Sequence, residues 1–173
     1  PRLARQVRAH LGVGNAVVFD HVELFENHGL RVLFTDLLGK TESLSLYDAR
    51  NGNVFLFVAD AQTSEKQLFR LLYELGRVLI YVRAVRLGVA PYGDEPVRGK
   101  LARRFAAESL MPEDAVCGTV RQIGVAPGEW DLPLLLRLKH RFGVSAESFN
   151  YRLLELGLIT SERQAALRAA IKA

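Results

Sequence analysis

The sequence predicts an α+β fold, with a small sheet drawn from residues 30–59 and helices over most of the remainder. Three observations carry that prediction. The apolar residues of the opening segments repeat at helical spacing. Between Leu30 and Asp60 the pattern changes to three short runs rich in Val, Leu and Phe. From Thr63 helical periodicity returns and lasts almost to the end.

Taken in order, "PRLARQVRAHL" puts Leu3, Val7 and Leu11 on one helical face and Arg2, Arg5 and Arg8 elsewhere, and Gly12 and Gly14 stop it. "AVVFDHVELFENHG" reads as a second helix closed by Gly29. "LRVLFTDL", "ESLSLYDA" and "NVFLFVAD" read as three strands, broken at Gly39 and at Asn51-Gly52, the last two joined by a tight hairpin at "DARNGN". A long helix follows over "TSEKQLFRLLYELGRVLIYVRAVRLG", capped at Thr63 or Ser64 and apolar on most sides, the expected buried spine of the domain. "VAPYGDEPVRGK", with two prolines and two glycines, reads as a loop. "LARRFAAESL" is a second core helix and "MPEDAVCGTVRQIG" a third, opened by Pro112 with Glu113 and Asp114 in its first turn. "APGEWD" divides residues 1–130 from a final helical module, residues 131–173.

Composition bounds the function classes. Hydrophobic residues make up 49% and charged residues 24% of 173 positions, which excludes a wholly disordered chain. No apolar run approaches the roughly 20 residues of a membrane span and no secretory signal opens the chain, so a cytoplasmic protein with no membrane partner is expected. The single cysteine, Cys117, excludes an internal disulfide and reads as a small buried residue on a helix. A net charge of +4 is compatible with nucleic-acid contact without requiring it. The first residue is Pro1 rather than methionine, so a longer chain or a processed start is expected.

Within the long helix lies "LLYELGRVLIY". A zinc peptidase helix of the H-E-x-x-H type needs two imidazoles one turn apart and a glutamate beside the first. Here only Glu74 is present. "LFRLLYELGRVLIY", "ARRFAAESLMPEDAV" and "LLLRLKHRFGVSAESFNYRLLELGLI" together resemble, in order and separation, three blocks of the ImmA/IrrE family of metallopeptidase-like proteins. The family's blocks read close to F-T-x-A-H-E-x-G-H, A-N-x-F-A-A-x-L-L-M-P and F-G-V-S-x-x-x-x-x-x-R-L-x-x-L-G-L-I. The resemblance implies a zincin-like core followed by a helix-turn-helix-like C-terminal module.

It also places Tyr73 and Arg77 at the positions of the two zinc histidines and Tyr81 where a further histidine is common. The third ligand, a glutamate shortly before Ala102, is replaced by a segment containing Arg98, Gly99, Lys100 and Leu101. Tyrosine ligates poorly at neutral pH and arginine repels a cation, so neither metal nor cofactor is expected. Tyr73, Glu74 and Arg77 then form either a polar cluster filling the vacated cleft, with Arg77 offsetting the charge of Glu74, or a site for a small anionic or polar ligand together with Tyr81. Some other catalytic chemistry is a further reading. His10, His21, His28 and His140 show no ligand spacing.

In the C-terminal module the turn at Phe142-Gly143-Val144 and a cap at Ser145 give the grammar of a helix-turn-helix, with Phe149, Leu153 and Leu156 facing inward. Ser148, Asn150, Tyr151 and Arg152 are expected outward, and with Arg137, Lys139 and Arg141 are candidate DNA contacts, opposed by Glu147 and Glu155. The module either packs on the core or touches DNA.

Three functions follow. The first is a non-catalytic domain serving as sensor or interaction part of a transcription regulator. Many relatives carry an N-terminal helix-turn-helix ahead of this domain and those that regulate transcription often act as dimers, so DNA bound through such a segment, a small-molecule effector and a homodimer of the full-length protein are the expected partners. The second is an active zinc peptidase cleaving a repressor, and the third a stand-alone DNA-binding protein acting through residues 131–160.

Overall fold

The structure is a computed structural model that describes residues 2–88 and 95–172. The described elements are α1 (Arg2–His10), α2 (His21–Asn27), β1 (Arg31–Thr35), β2 (Ser43–Asp48), β3 (Asn53–Ala59), α3 (Ser64–Arg86), α4 (Glu95–Leu110), α5 (Glu113–Ile123), α6 (Leu132–Phe142), α7 (Ala146–Glu155) and α8 (Ser161–Lys172). The α+β class expected from the sequence is what the chain adopts. Among the described residues no helix is long and apolar enough to cross a membrane.

The sheet has strand order β1-β3-β2, parallel between β1 and β3 and antiparallel between β3 and β2. The β2–β3 hairpin closes where Asp48 accepts from the Arg50 amide at 2.9 Å and from Asn51 Nδ2 at 2.7 Å, and Gly52 takes φ +73°. One face lies on α3. Ser43 sits opposite Val58 and Ser45 opposite Leu56, so these four side chains share the α3 side of the sheet. On the other face Leu33, Phe57 and Leu44 form a cross-strand row, beside which Leu46 and Phe55 pair. Leu33, Leu44 and Leu46 are exposed. The alternation of β2 thus runs opposite to a simple inside-apolar reading: its serines point inward and its leucines outward.

Helix α3 is the spine, buried continuously from Leu71 to Gly76 and again at Val78. It packs on the sheet and on α4. The approach to α4 is close at Gly76, where a Cβ would lie 2.7 Å from Phe105 Cδ1. Only the absence of a side chain admits that ring. Thr63 is the N-cap residue of α3, yet its hydroxyl makes no capping bond; its carbonyl accepts from the Gln67 amide at 2.9 Å.

Two boundaries and two burials differ from those expected. Helix α2 starts at His21 rather than near Ala16, because the Asp20 carboxylate accepts from the Glu23 amide at 2.8 Å and caps the first turn there. Helix α4 starts at Glu95, so the loop expected over residues 89–100 is overturned from 95 onward; its first half, 89–94, lies outside the described residues. Pro96 falls in the first turn, where the missing N–H removes no helical bond. Arg8, assigned away from the apolar face, is turned inward. It donates to the carbonyls of Gly14 at 2.7 Å, Ser109 at 2.5 Å and Ala16, tying α1 to its following loop and to α4. Cys117 is half-buried rather than buried.

The last three helices join the same hydrophobic cluster as α3 and α4. Asp131 and Ser145 cap α6 and α7 by accepting from the Leu134 and Ser148 amides, and Gly143 closes α6 at φ +62°. Trp130 is fully buried and donates to the Leu158 carbonyl at 2.9 Å.

His21 packs edge-on against Phe25 and is buried. Burial first, and the Arg8 charge second, push its imidazole from 6.5 down to about 4, with Asp20 pulling the other way. The unfolded chain binds this proton near pH 6.5 and the folded chain refuses it until about 4. The stability it contributes is therefore complete above pH 6.5 and is lost as pH falls toward 4, by about 3 kcal/mol in all. Urea unfolding of the parent across that window should show this slope, and His21→Gln should flatten it. An unchanged slope would place the titrating group elsewhere.

Candidate functional site

The candidate residues fall on one helix. Tyr73, Glu74, Arg77 and Tyr81 all project from α3, the first two buried and the other two half-buried. Glu74 is 3% exposed. A carboxylate so deeply placed must be hydrogen-bonded, and its partners come from β2. Ser43 Oγ donates to Oε1 at 2.8 Å and Ser45 Oγ to Oε2 at 2.7 Å. Arg77, the expected partner, stands with Nε 3.9 Å from Oε2, too far for a hydrogen bond, and 40% of its side chain is exposed. The direct bonds to the carboxylate come from the two hydroxyls. Sequence reasoning missed both serines; the signal was the S-x-S spacing in β2, which puts two hydroxyls on one face of a strand.

Tyr73 lies among cations. The guanidinium carbons of Arg70, Arg77 and Arg103 sit 5.7, 5.9 and 6.0 Å from its ring centroid. Its hydroxyl reaches across to α4, 3.5 Å from where a Cβ on Gly99 would stand. The phenol thus spans the space between α3 and α4. Arg70 is itself paired with Glu42, which also pairs with Lys66.

Beside this cluster a cleft of about 260 Å³ opens between three elements. Ser45 and Tyr47 line it from β2, Arg77, Val78, Ile80 and Tyr81 from α3, and Arg98 from α4. The structure therefore brings together Tyr73, Glu74, Arg77 and Tyr81, and adds Ser45, Tyr47 and Arg98 to them.

The six candidate DNA contacts separate into two groups. Arg137, Arg141 and Tyr151 are exposed, with Arg168 over the Tyr151 ring at 5.5 Å. Lys139, Asn150 and Arg152 are buried, which corrects the outward placement of Asn150 and Arg152. Lys139 pairs with Glu65 on α3. Asn150 donates to the Gln164 carbonyl at 3.0 Å. Arg152, 2% exposed, donates to the Met111 carbonyl at 3.1 Å and ion-pairs with Glu108 at 3.0 Å and Glu155 at 2.6 Å. Glu155, expected to oppose DNA, is thus an internal partner. Ser148 is half-buried against Ser145.

Of the histidines, His10 and His28 approach to 6.3 Å between ring centroids. Among the described residues no three His, Cys, Asp or Glu side chains are grouped to hold a metal.

Residues 25–154, about three quarters of the chain, match the family described as the IrrE N-terminal-like domain. No curated protein matches the chain. Among solved structures a Mycobacterium tuberculosis transcriptional regulator is similar over 88% of this chain and 45% of its own, with 23% identity and a TM-score of 0.59. At that identity the likeness is one of fold, and the chain spans less than half of that protein's length.

Two predictions follow from the buried charges. Ser43→Ala and Ser45→Ala should each cost about 1–3 kcal/mol in urea unfolding, and adding Glu74→Met to the double variant should restore most of the loss, because the orphaned carboxylate goes with it. Further destabilisation on adding Glu74→Met would mean the glutamate has other anchors. Arg152→Ala should cost about 3–5 kcal/mol by leaving Glu108 buried without its partner, whereas exposed Arg121→Ala should stay within about 0.5 kcal/mol. Equal effects would contradict the burial of Arg152.

Proposed function

The chain belongs to the IrrE N-terminal-like domain family, and from that premise we propose that it is a non-catalytic, metallopeptidase-like regulatory domain, the sensor or interaction part of a transcription regulator. The observation that carries this is the fate of Glu74. In a zinc peptidase that glutamate takes a proton from metal-bound water and needs an oxygen free to do so. Here both oxygens accept hydroxyl protons from Ser43 and Ser45. Around it a phenol and three guanidiniums occupy the neighbourhood, a donor set that does not fit a divalent cation.

The regulatory half of the proposal draws support from the family and from the fold shared with a transcriptional regulator. In it the cleft between β2, α3 and α4 serves as an effector pocket, DNA is bound by an N-terminal helix-turn-helix beyond this chain, and the full-length protein is a homodimer. Direct DNA contact through residues 131–160 is the second reading, and it rests on Arg137, Arg141 and Tyr151, the three exposed candidates.

Metal content and calorimetric zinc titration at neutral pH test the central claim. The parent should contain no stoichiometric zinc and give no heat of tight binding. Tyr73→His with Arg77→His should not recover tight binding either, since no carboxylate stands between Arg98 and Leu101. Stoichiometric tight zinc in the parent would defeat the proposal and favour a peptidase that cleaves a repressor.

A further inference from the structure

We propose that the outer face of the sheet is the surface through which two copies of this chain pair, face to face, about a two-fold axis running along the strands. The proposal gives a surface to the homodimer of the regulatory reading and rests on that part of it.

The outer face is apolar across all three strands. Leu33 of β1, Phe55 and Phe57 of β3, and Leu44 and Leu46 of β2 share it, while α3 packs on the opposite face. Leu33, Leu44 and Leu46 are 40%, 40% and 55% exposed, and the two rings are half-buried. The hydroxyls bonded to Glu74 fix which residues of β2 point outward, but not that these be leucine. Serine, threonine or lysine would fit the same phase. Leu33, Phe55 and Phe57 lie on strands that give Glu74 no hydroxyl at all. A contiguous apolar patch spread over a sheet face marks a surface that another molecule covers.

Charge placement selects the occupant. Arg31 and Asp48 lie at the same end of this face, on opposite edge strands. Arg31 stands in the row of Phe55 and Leu46, and Asp48 lies two residues further along, opposite Asn53. Arg31 donates to the Gly29 carbonyl at 3.1 Å and meets no carboxylate among the described residues. Bonds from Asn51 and the Arg50 amide hold the Asp48 carboxyl below the usual carboxylate range, so it is charged at neutral pH.

A two-fold axis along the strands lays β1 of one copy over β2 of the other, and β3 over β3, with the strand ends in step. Leu33 then meets Leu44 of the other copy, and Phe55 and Phe57 meet their own counterparts. Arg31 lays its stem over Leu46 of the other copy and reaches Asp48 about 7 Å along the strand. The symmetry repeats every contact. An axis across the strands would instead set Arg31 over Thr35 and leave both charges without partners.

Area sets the strength. Three strands about 4.8 Å apart, over five residues rising about 3.3 Å each, give a flat footprint of roughly 14 by 17 Å. That is small beside the about 800 Å² per partner of a standard interface, so the chain should dimerise weakly, at about 10–100 µM.

Sedimentation velocity of the 173-residue chain from about 1 to 500 µM at low ionic strength tests the proposal. The parent should pass from monomer to dimer within that range. Leu33→Lys and Leu46→Lys, on opposite edges of the sheet, should each raise the dissociation constant about tenfold or more, whereas Leu136→Lys, at an exposed leucine of α6, should leave it unchanged. If a lysine variant misfolds, Arg31→Gln at an exposed position should still weaken pairing several-fold, and added salt should weaken the parent more than that variant. A monomer throughout, a dimer untouched by either lysine, or an Arg31→Gln dimer as tight as the parent's overturns the proposal. Loss in only one lysine variant points to pairing through a strand edge and overturns it too. A parallel zinc titration separates the claims: tight zinc defeats the non-catalytic reading and leaves the sheet dimer standing, whereas a zinc-free chain that stays monomeric defeats only the dimer surface.

Discussion

A carboxylate buried in the middle of the longest helix governs how the sheet is built. The Glu74 carboxyl is buried beneath β2, and without hydrogen-bond donors it would cost several kcal/mol. The strand meets that demand by presenting Ser43 and Ser45 on its inner face. The period-2 geometry then sends Leu44 and Leu46 outward, where they are exposed. Hydrophobic burial on this side of the domain is left to β3, whose Leu56 and Val58 are fully buried beside the serines on the same face of the sheet. One polar requirement thus sets the phase of a strand, moves two leucines to the surface and gives the central strand the main share of the core.

That same requirement explains what the sequence could and could not disclose. The three strands and the long helix were legible because their apolar periods are local. The resemblance to the ImmA/IrrE family was legible from three blocks, and residues 25–154 bear it out. The partners of Glu74 were not, because they lie 31 and 29 residues upstream on another element. Arg77 offered itself as partner only because it is three residues away. The start of α4 was hidden by composition: Pro96 and Gly99 look like loop residues, yet one sits in a first turn and the other faces the Tyr73 hydroxyl at close range. Asn150 and Arg152 read as outward because the groups that bury them, Gln164 and Glu108, belong to other helices.

Around Tyr73 the chain gathers three arginines, Arg70, Arg77 and Arg103. Arg70 shares Glu42 with Lys66, and Arg77 stands beside a carboxylate already held by hydroxyls. The aromatic face absorbs part of this charge, since a ring quadrupole attracts cations from several directions at once.

The arginine on α7 has a different consequence. Arg152 joins α7 to Glu108 on α4 and to the Met111 carbonyl at the α4–α5 turn, while Lys139 of α6 reaches Glu65 on α3 and Leu68 lies against the turn at Gly143. Helices α6 and α7 have the outline of a cassette that a protein engineer would graft between scaffolds. Their charged keys fit locks cut into α3 and α4, so a transplanted copy would arrive with buried cations and nothing to receive them.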